Sequence, residues 1–203
     1  MLESGFRYFI FYKPYGILAQ FTDEGNRRGI ASVANFPPHV YPVGRLEADS
    51  EGLLLLTDDK RLNKQVLDPT IGHWRTYLIQ VEGDITPQAV QLLEIPMEIN
   101  LKTKLYRTLP SKCERLFEEP ELPERNPPVR FRKSQPTSWI RLELREGKNQ
   151  QVRKMAAQVG FPALRLVREG MAGMSLDGLQ PGEFREIDGS QVFEMLRMSP
   201  KRR

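Results

Sequence analysis

Gly44-Arg45-Leu46-Glu47-Ala48-Asp49-Ser50-Glu51-Gly52-Leu53-Leu54-Leu55-Leu56-Thr57 constrains this chain more than any other segment. Arg45, Glu47, Asp49 and Glu51 crowd together between glycines, Asp58 lies just beyond, and four leucines follow without a spacer. Leu53 to Thr57 is short, apolar and bounded by Gly52 and Asp58-Asp59, which predicts a buried strand. A charged loop that enters such a strand is costly unless its groups are paired, solvated or used in chemistry. The segment therefore marks a piece of the core and a candidate site at once.

The 203 residues suffice for one domain, or two lobes of one, around a sizeable core. No run approaches the roughly eighteen apolar residues of a membrane span, so no membrane association is expected. The N-terminus lacks the pattern of a secretory leader. A single cysteine, Cys113, leaves no internal disulfide and fits a cytoplasmic protein. His39 and His73, the other soft ligands, are far apart in sequence, so no metal site is expected. The net charge of +4 is unevenly spread. Arg125 to Lys154 holds nine basic residues against two acidic ones, whereas Glu114 to Glu124 holds five acids and one arginine. That pattern suits a face built for a polyanion, or a solvated charge run.

Along the chain, Tyr8 to Tyr12 favours a strand that ends at the turn Lys13-Pro14-Tyr15-Gly16, and Ile17 to Phe21 resumes an extended pattern. Thr22 to Gly29 reads as a loop. Asp58 or Asp59 can cap a helix through Leu67, stopped by Pro69. Thr76 to Gly83 is a strand, and Thr86-Pro87 opens a helix with Val90, Leu92 and Leu93 to bury. Residues 95–137 hold seven prolines and no helical period, which predicts strand and loop. Ser138 to Arg145 alternates as a half-buried strand, and Asn149 to Val159 switches to helical spacing, closed by Gly160. Leu164 to Val167 and Gly182 to Ile187 complete the strands. Strands outnumber helices in an irregular order, which predicts an α+β fold with a mainly antiparallel sheet.

Absences narrow the chemistry. The chain has no phosphate-binding loop, no dinucleotide glycine fingerprint, no nucleophile-elbow serine and no paired histidines or cysteines. Carboxylate chemistry beside arginine remains. A carboxylate can attack a sugar carbon and stabilise an oxocarbenium-like centre, a logic that fits cleavage of a base–ribose bond.

Several segments resemble, in order, the pseudouridine synthases of the small-subunit ribosomal A type. Lys13-Pro14-Tyr15-Gly16 resembles the first motif of that family. Gly44-Arg45-Leu46 with Ser50 to Thr57 resembles the second, with Glu47 where the family has its catalytic aspartate. Tyr77 sits where the family keeps a tyrosine that stacks on the target base. Glu146 to Met155 resembles the third motif, whose arginine, here Arg153, pairs with the catalytic carboxylate. Leu164 to Arg168 resembles the segment that walls the uracil pocket. Arg125 to Arg130 with Pro136 to Trp139 is most similar to the family members of E type.

The resemblance implies the pseudouridine synthase fold in two lobes, and residues 1–203 as one catalytic domain with no N-terminal S4 domain. It implies an isomerase without metal or cofactor whose partner is 23S ribosomal RNA; nothing in the sequence argues against a monomer. Glu47, Arg45, Tyr77 and Arg153 would be catalytic, held in one cleft flanked by the basic segment. Arg45 would fill the stack vacated by the flipped base, or pair with Glu51. Asp49 is an alternative carboxylate. Lys13, Lys148, Gln151, Leu166, Arg130, Arg132 and Lys133 would bind substrate. Because Glu47 replaces the aspartate, a second reading stays open: an RNA-binding or ribosome-assembly protein that keeps the fold and has lost catalysis.

Overall fold

The structure, a computed structural model, describes residues 5–68, 70–102, 104–130 and 135–198. Arg132, Lys133 and the basic C-terminus fall outside them. In chain order the elements begin with β1 (Tyr8–Lys13), a 3-10 turn (Ile30–Ser32), β2 (Tyr41–Pro42), β3 (Glu51–Thr57) and α1 (Lys60–Leu67). They continue with β4 (Arg75–Glu82), α2 (Pro87–Glu94), β5 (Glu98–Leu101), β6 (Lys104–Arg107), β7 (Lys112–Leu116) and β8 (Thr137–Leu144). Last come α3 (Gln151–Gln158), β9 (Ala163–Met171), β10 (Met174–Ser175), β11 (Phe184–Ile187) and α4 (Gly189–Met195). The chain divides into two compact units, one of residues up to His73 and from Glu169 on, the other Trp74–Arg168.

In the first unit β1 lies between β11 and β3, both antiparallel to it. Its register sets Lys13 opposite Gly52, so the turn after β1 sits beside the charged loop that leads into β3. Every residue of β1 and β3 is buried, as strands covered on both faces require. On one face Phe9 and Phe11 join Ile17, Ile30, Leu46, Leu54 and Leu56. Phe36 closes that cluster edge-on, 5.6 Å from Phe9 and 5.5 Å from Phe11. On the other face Tyr8 meets Phe193 of α4 at 5.9 Å.

Asp59 caps α1 as expected, accepting from the backbone N–H of Arg61 at 3.0 Å. Its carboxylate also receives the Arg61 guanidinium at 2.7 and 2.8 Å and the Tyr8 hydroxyl at 3.1 Å. Burial opposes ionisation of this carboxyl, but the Arg61 and Tyr8 bonds outweigh burial and hold it below its ordinary value. One expectation needs correction here. Ile17 to Phe21 forms no strand; it packs into the core as a loop, tied by Leu18 N–H to the Arg28 carbonyl and Ile30 N–H to the Gln20 carbonyl. The sequence reading also passes over α4, which Asp188 caps through the Ser190 N–H.

In the second unit β8 lies between β4 and β7, antiparallel to both. Tyr77, Ile79, Val81, Ile140, Leu142 and Leu144 form one face, packed against Ala89 and Leu93 of α2 and Val152, Met155 and Ala156 of α3. Residues directly opposite one another share a face. The other face therefore presents Arg141 and Glu143 beside Glu114 and Lys112, paired as Arg141–Glu114 at 2.6 Å and Lys112–Glu143 at 3.4 Å. Residues 95–137 supply the hairpin β5–β6 and the strand β7, as the proline-rich composition predicts. Thr86 caps α2 with Pro87 at its start; Leu92, expected inside, is exposed instead, and Ala89 takes its place in the core.

Candidate active site

In the first unit the charged loop is built from both ends. Val43 N–H bonds the Leu55 carbonyl and Gly44 N–H the Asn63 side chain. Gly44 adopts a left-handed φ of 73°, and a Cβ there would meet a Leu67 methyl at 2.8 Å, so both conformation and space call for glycine. Leu46 drops into the core while Arg45 stays exposed and Glu47 half-buried. Ser50 N–H closes a turn on the Glu47 carbonyl at 3.0 Å.

The residue after Glu47 is the clasp. The Ala48 carbonyl receives the Gly16 N–H at 2.7 Å and the Lys13 ammonium at 3.4 Å. Lys13 also donates to the Pro14 and Ile17 carbonyls at 2.9 and 2.7 Å, and its side chain is fully buried. Lys13, expected to contact substrate, is thus placed as a buried residue. Its charge faces inward and joins the first motif to the backbone beside Glu47. Glu51, at the mouth of β3, is buried as well.

In the second unit Tyr77 stands on the core face of β4, opposite Leu142 and 7% exposed. Arg75, two residues earlier on that face, is buried with Arg165 and Arg168. Burial pulls the Arg75 guanidinium below its ordinary value; Tyr77 opposes this, Arg168 adds to it and Glu146 opposes it. Arg165 donates to the Pro123 carbonyl at 2.7 Å. Leu166 is part of the core cluster.

Arg153 lies in the first turn of α3, and its guanidinium donates to the Ala163 carbonyl at 3.2 Å. Lys154 follows it, and that turn holds no acid, so two cations sit where the helix dipole favours an anion. The loop before α3 is organised by Glu146, which is 3% exposed. Its carboxylate accepts from the Tyr106 hydroxyl, the Leu109 N–H at 2.8 Å and the Gln151 amide at 2.8 Å. Gln151 in turn accepts the Lys148 N–H at 3.0 Å. Both ends of the buried Gln151 amide, expected to bind substrate, hold its own loop. Burial, and then the bond to Glu146, push the Tyr106 phenol up to about 12, so it remains a donor.

Lys148 is half-buried and Arg130 exposed. Sequence reasoning missed Tyr106 and Glu146 as organisers of the third motif. Burial pushes the Cys113 thiol up to about 12, which removes it as a nucleophile. The structure thus groups Glu47, Arg45 and Lys13 in the first unit, and Tyr77, Gln151, Arg153, Lys148 and Leu166 in the second.

Comparisons with known proteins converge. The profile of a family described as RNA pseudouridylate synthase matches residues 7–158. Ribosomal large subunit pseudouridine synthase E of Vibrio vulnificus (strain CMCP6) is 48% identical over 180 residues, 88% of this chain and 74% of that protein. Its namesake in Xanthomonas campestris pv. campestris is 44% identical over 182 residues, 89% of this chain and 95% of that one. A crystal structure described as a pseudouridylate synthase shares the fold at a TM-score of 0.74 and 22% identity, over 94% of this chain and 74% of that one.

Proposed function

The chain belongs to the RNA pseudouridylate synthase family, and from that premise we propose that it isomerises a uridine of 23S ribosomal RNA to pseudouridine, with Glu47 as the reacting carboxylate. The large-subunit names of its relatives support the substrate. The observation that carries the role of Glu47 is the clasp. The backbone next to it is fixed by a buried ammonium and a backbone N–H, while its own side chain stays half-buried at a loop with Arg45 exposed. Such a loop fixes the backbone from which the carboxylate is placed.

In the reaction the bond from ribose C1′ to N1 of uracil breaks, aided by Glu47, and the freed base turns. A bond from C1′ to C5 then forms, C5 gives up its proton and N1 gains one. The reaction is an isomerisation and consumes no co-substrate. Arg45 is proposed to occupy the gap in the stack left by the flipped uridine. Tyr77 is proposed to face the base, and Arg153 to keep the carboxylate ionised through its charge. Lys148 and Arg130, with Arg132 and Lys133 beyond the described residues, are proposed phosphate contacts.

Glutamate places its carboxylate about 1.5 Å further out than aspartate would, and a misplacement of ~1 Å can change rate about a hundredfold. The test is a pseudouridine assay on unmodified 23S RNA with the natural protein, Glu47→Asp and Glu47→Gln. Product is expected from the first two and none from the third, with RNA binding retained in all. Undiminished product from Glu47→Gln would overturn the assignment. Product from the aspartate form alone would instead identify an RNA-binding protein on a disabled catalytic scaffold.

A further inference from the structure

The loop after β8 sorts its charges. Its one carboxylate between Arg145 and Lys148, that of Glu146, is turned inward and takes three donors, while Arg145 and Lys148 remain outside. Neither cation has an ion pair among the described residues. Each is laid on an aromatic ring instead. The Arg145 guanidinium sits 4.6 Å from the centre of Trp74, and the Lys148 ammonium 4.8 Å from that of Tyr106. Lys112 also rests on Trp74, at 4.5 Å, but it is paired with Glu143. Two further cations of this unit are paired with carboxylates, Arg141 with Glu114 and Arg115 with Asp84.

The difference matters physically. A carboxylate partner cancels a cation's charge toward a ligand, whereas a ring holds the side chain and leaves the charge intact. Ordering a long side chain in the free protein also lowers the entropy lost when it binds. We propose that Arg145 and Lys148 form a two-point seat for neighbouring phosphates of an RNA strand, with Trp74 and Tyr106 as braces. A ring face that holds a cation is closed to a base. This inference rests on RNA being the substrate.

The test is binding of an unmodified 23S RNA fragment across a salt series. Arg145→Gln and Lys148→Gln should each lower the steepness of the log–log salt dependence by about 0.7–0.9 and weaken binding roughly five- to tenfold at 0.1 M salt. Arg145→Lys should keep the slope. Trp74→Leu should keep the slope and weaken binding about two- to fivefold. Slopes unmoved by both glutamine variants would overturn the seat, as would a Trp74→Leu protein that binds like the natural one. The same preparations are assayed for pseudouridine. Normal product with unmoved slopes removes the seat alone; no product from the natural protein with the slopes shifted as stated removes the isomerase reading and leaves the seat standing.

Discussion

The loop that carries Glu47 and the loop that leads into α3 are anchored by the same device with opposite sign. In the first unit a buried ammonium, Lys13, draws in the carbonyls of Pro14, Ile17 and Ala48. In the second a buried carboxylate, Glu146, draws in a hydroxyl, an N–H and an amide from Tyr106, Leu109 and Gln151. A buried charge can fix irregular backbone where no ladder of helix or sheet bonds is available. The partners differ in kind. The three carbonyls that Lys13 meets are main-chain atoms. Two of the partners of Glu146 are side chains, and one of them, Tyr106, comes from the hairpin within residues 95–137.

This contrast can be broken by removing each anchor. Glu146→Ala should be the most damaging, because three donors lose their acceptor; about 3 kcal/mol of stability is expected at roughly 1 kcal/mol each. Lys13→Met should cost about 2 kcal/mol, since the Ala48 carbonyl retains Gly16 N–H while those of Pro14 and Ile17 lose a donor. Urea midpoints at unchanged slope would read both, and the reverse ranking would show that main-chain partners are the stronger tie. Tyr106→Phe sharpens the comparison by deleting one hydroxyl, with an expected loss of about 1 kcal/mol.

The smallest effect comes from acid. Asp59 has a carboxyl held below its ordinary value, so its contribution to the first unit is complete above that value. It is lost as pH falls through the lowered folded-state value. The stability difference between the natural protein and Asp59→Asn should therefore shrink below about pH 4, near the ordinary carboxyl value. A difference that stayed constant from pH 7 to pH 2 would refute that role.

Much of the fold was legible because its signals are local. The four leucines bounded by Gly52 and Asp58, the Asp59 cap and the Thr86-Pro87 start each announce an element within a few residues. Helix α4 was passed over because it is short and opens with Gly189-Ser190, poor helix formers whose one clear signal was Asp188. Ile17 to Phe21 alternates like a strand, yet its apolar residues are buried by a loop. Motif order indicated which residues matter, but not where their charges point. Lys13 looks like a surface contact in sequence, yet it is an interior one, met by two carbonyls of its own turn and one of the Glu47 loop. Tyr106 and Glu146 are forty residues apart, with no pattern to join them.

Both tryptophans of the chain, Trp74 and Trp139, lie in the second unit, the first beside two cations and the second nearly buried. Four of the six tyrosines, Tyr8, Tyr12, Tyr15 and Tyr41, lie in the first. The molecule thus carries its own pair of optical labels. Indole emission reports on Trp74–Arg168 alone, and tyrosine absorbance chiefly on the remainder. If the two signals melt at one midpoint, the units unfold as one cooperative body; if they part, each unit has a stability of its own.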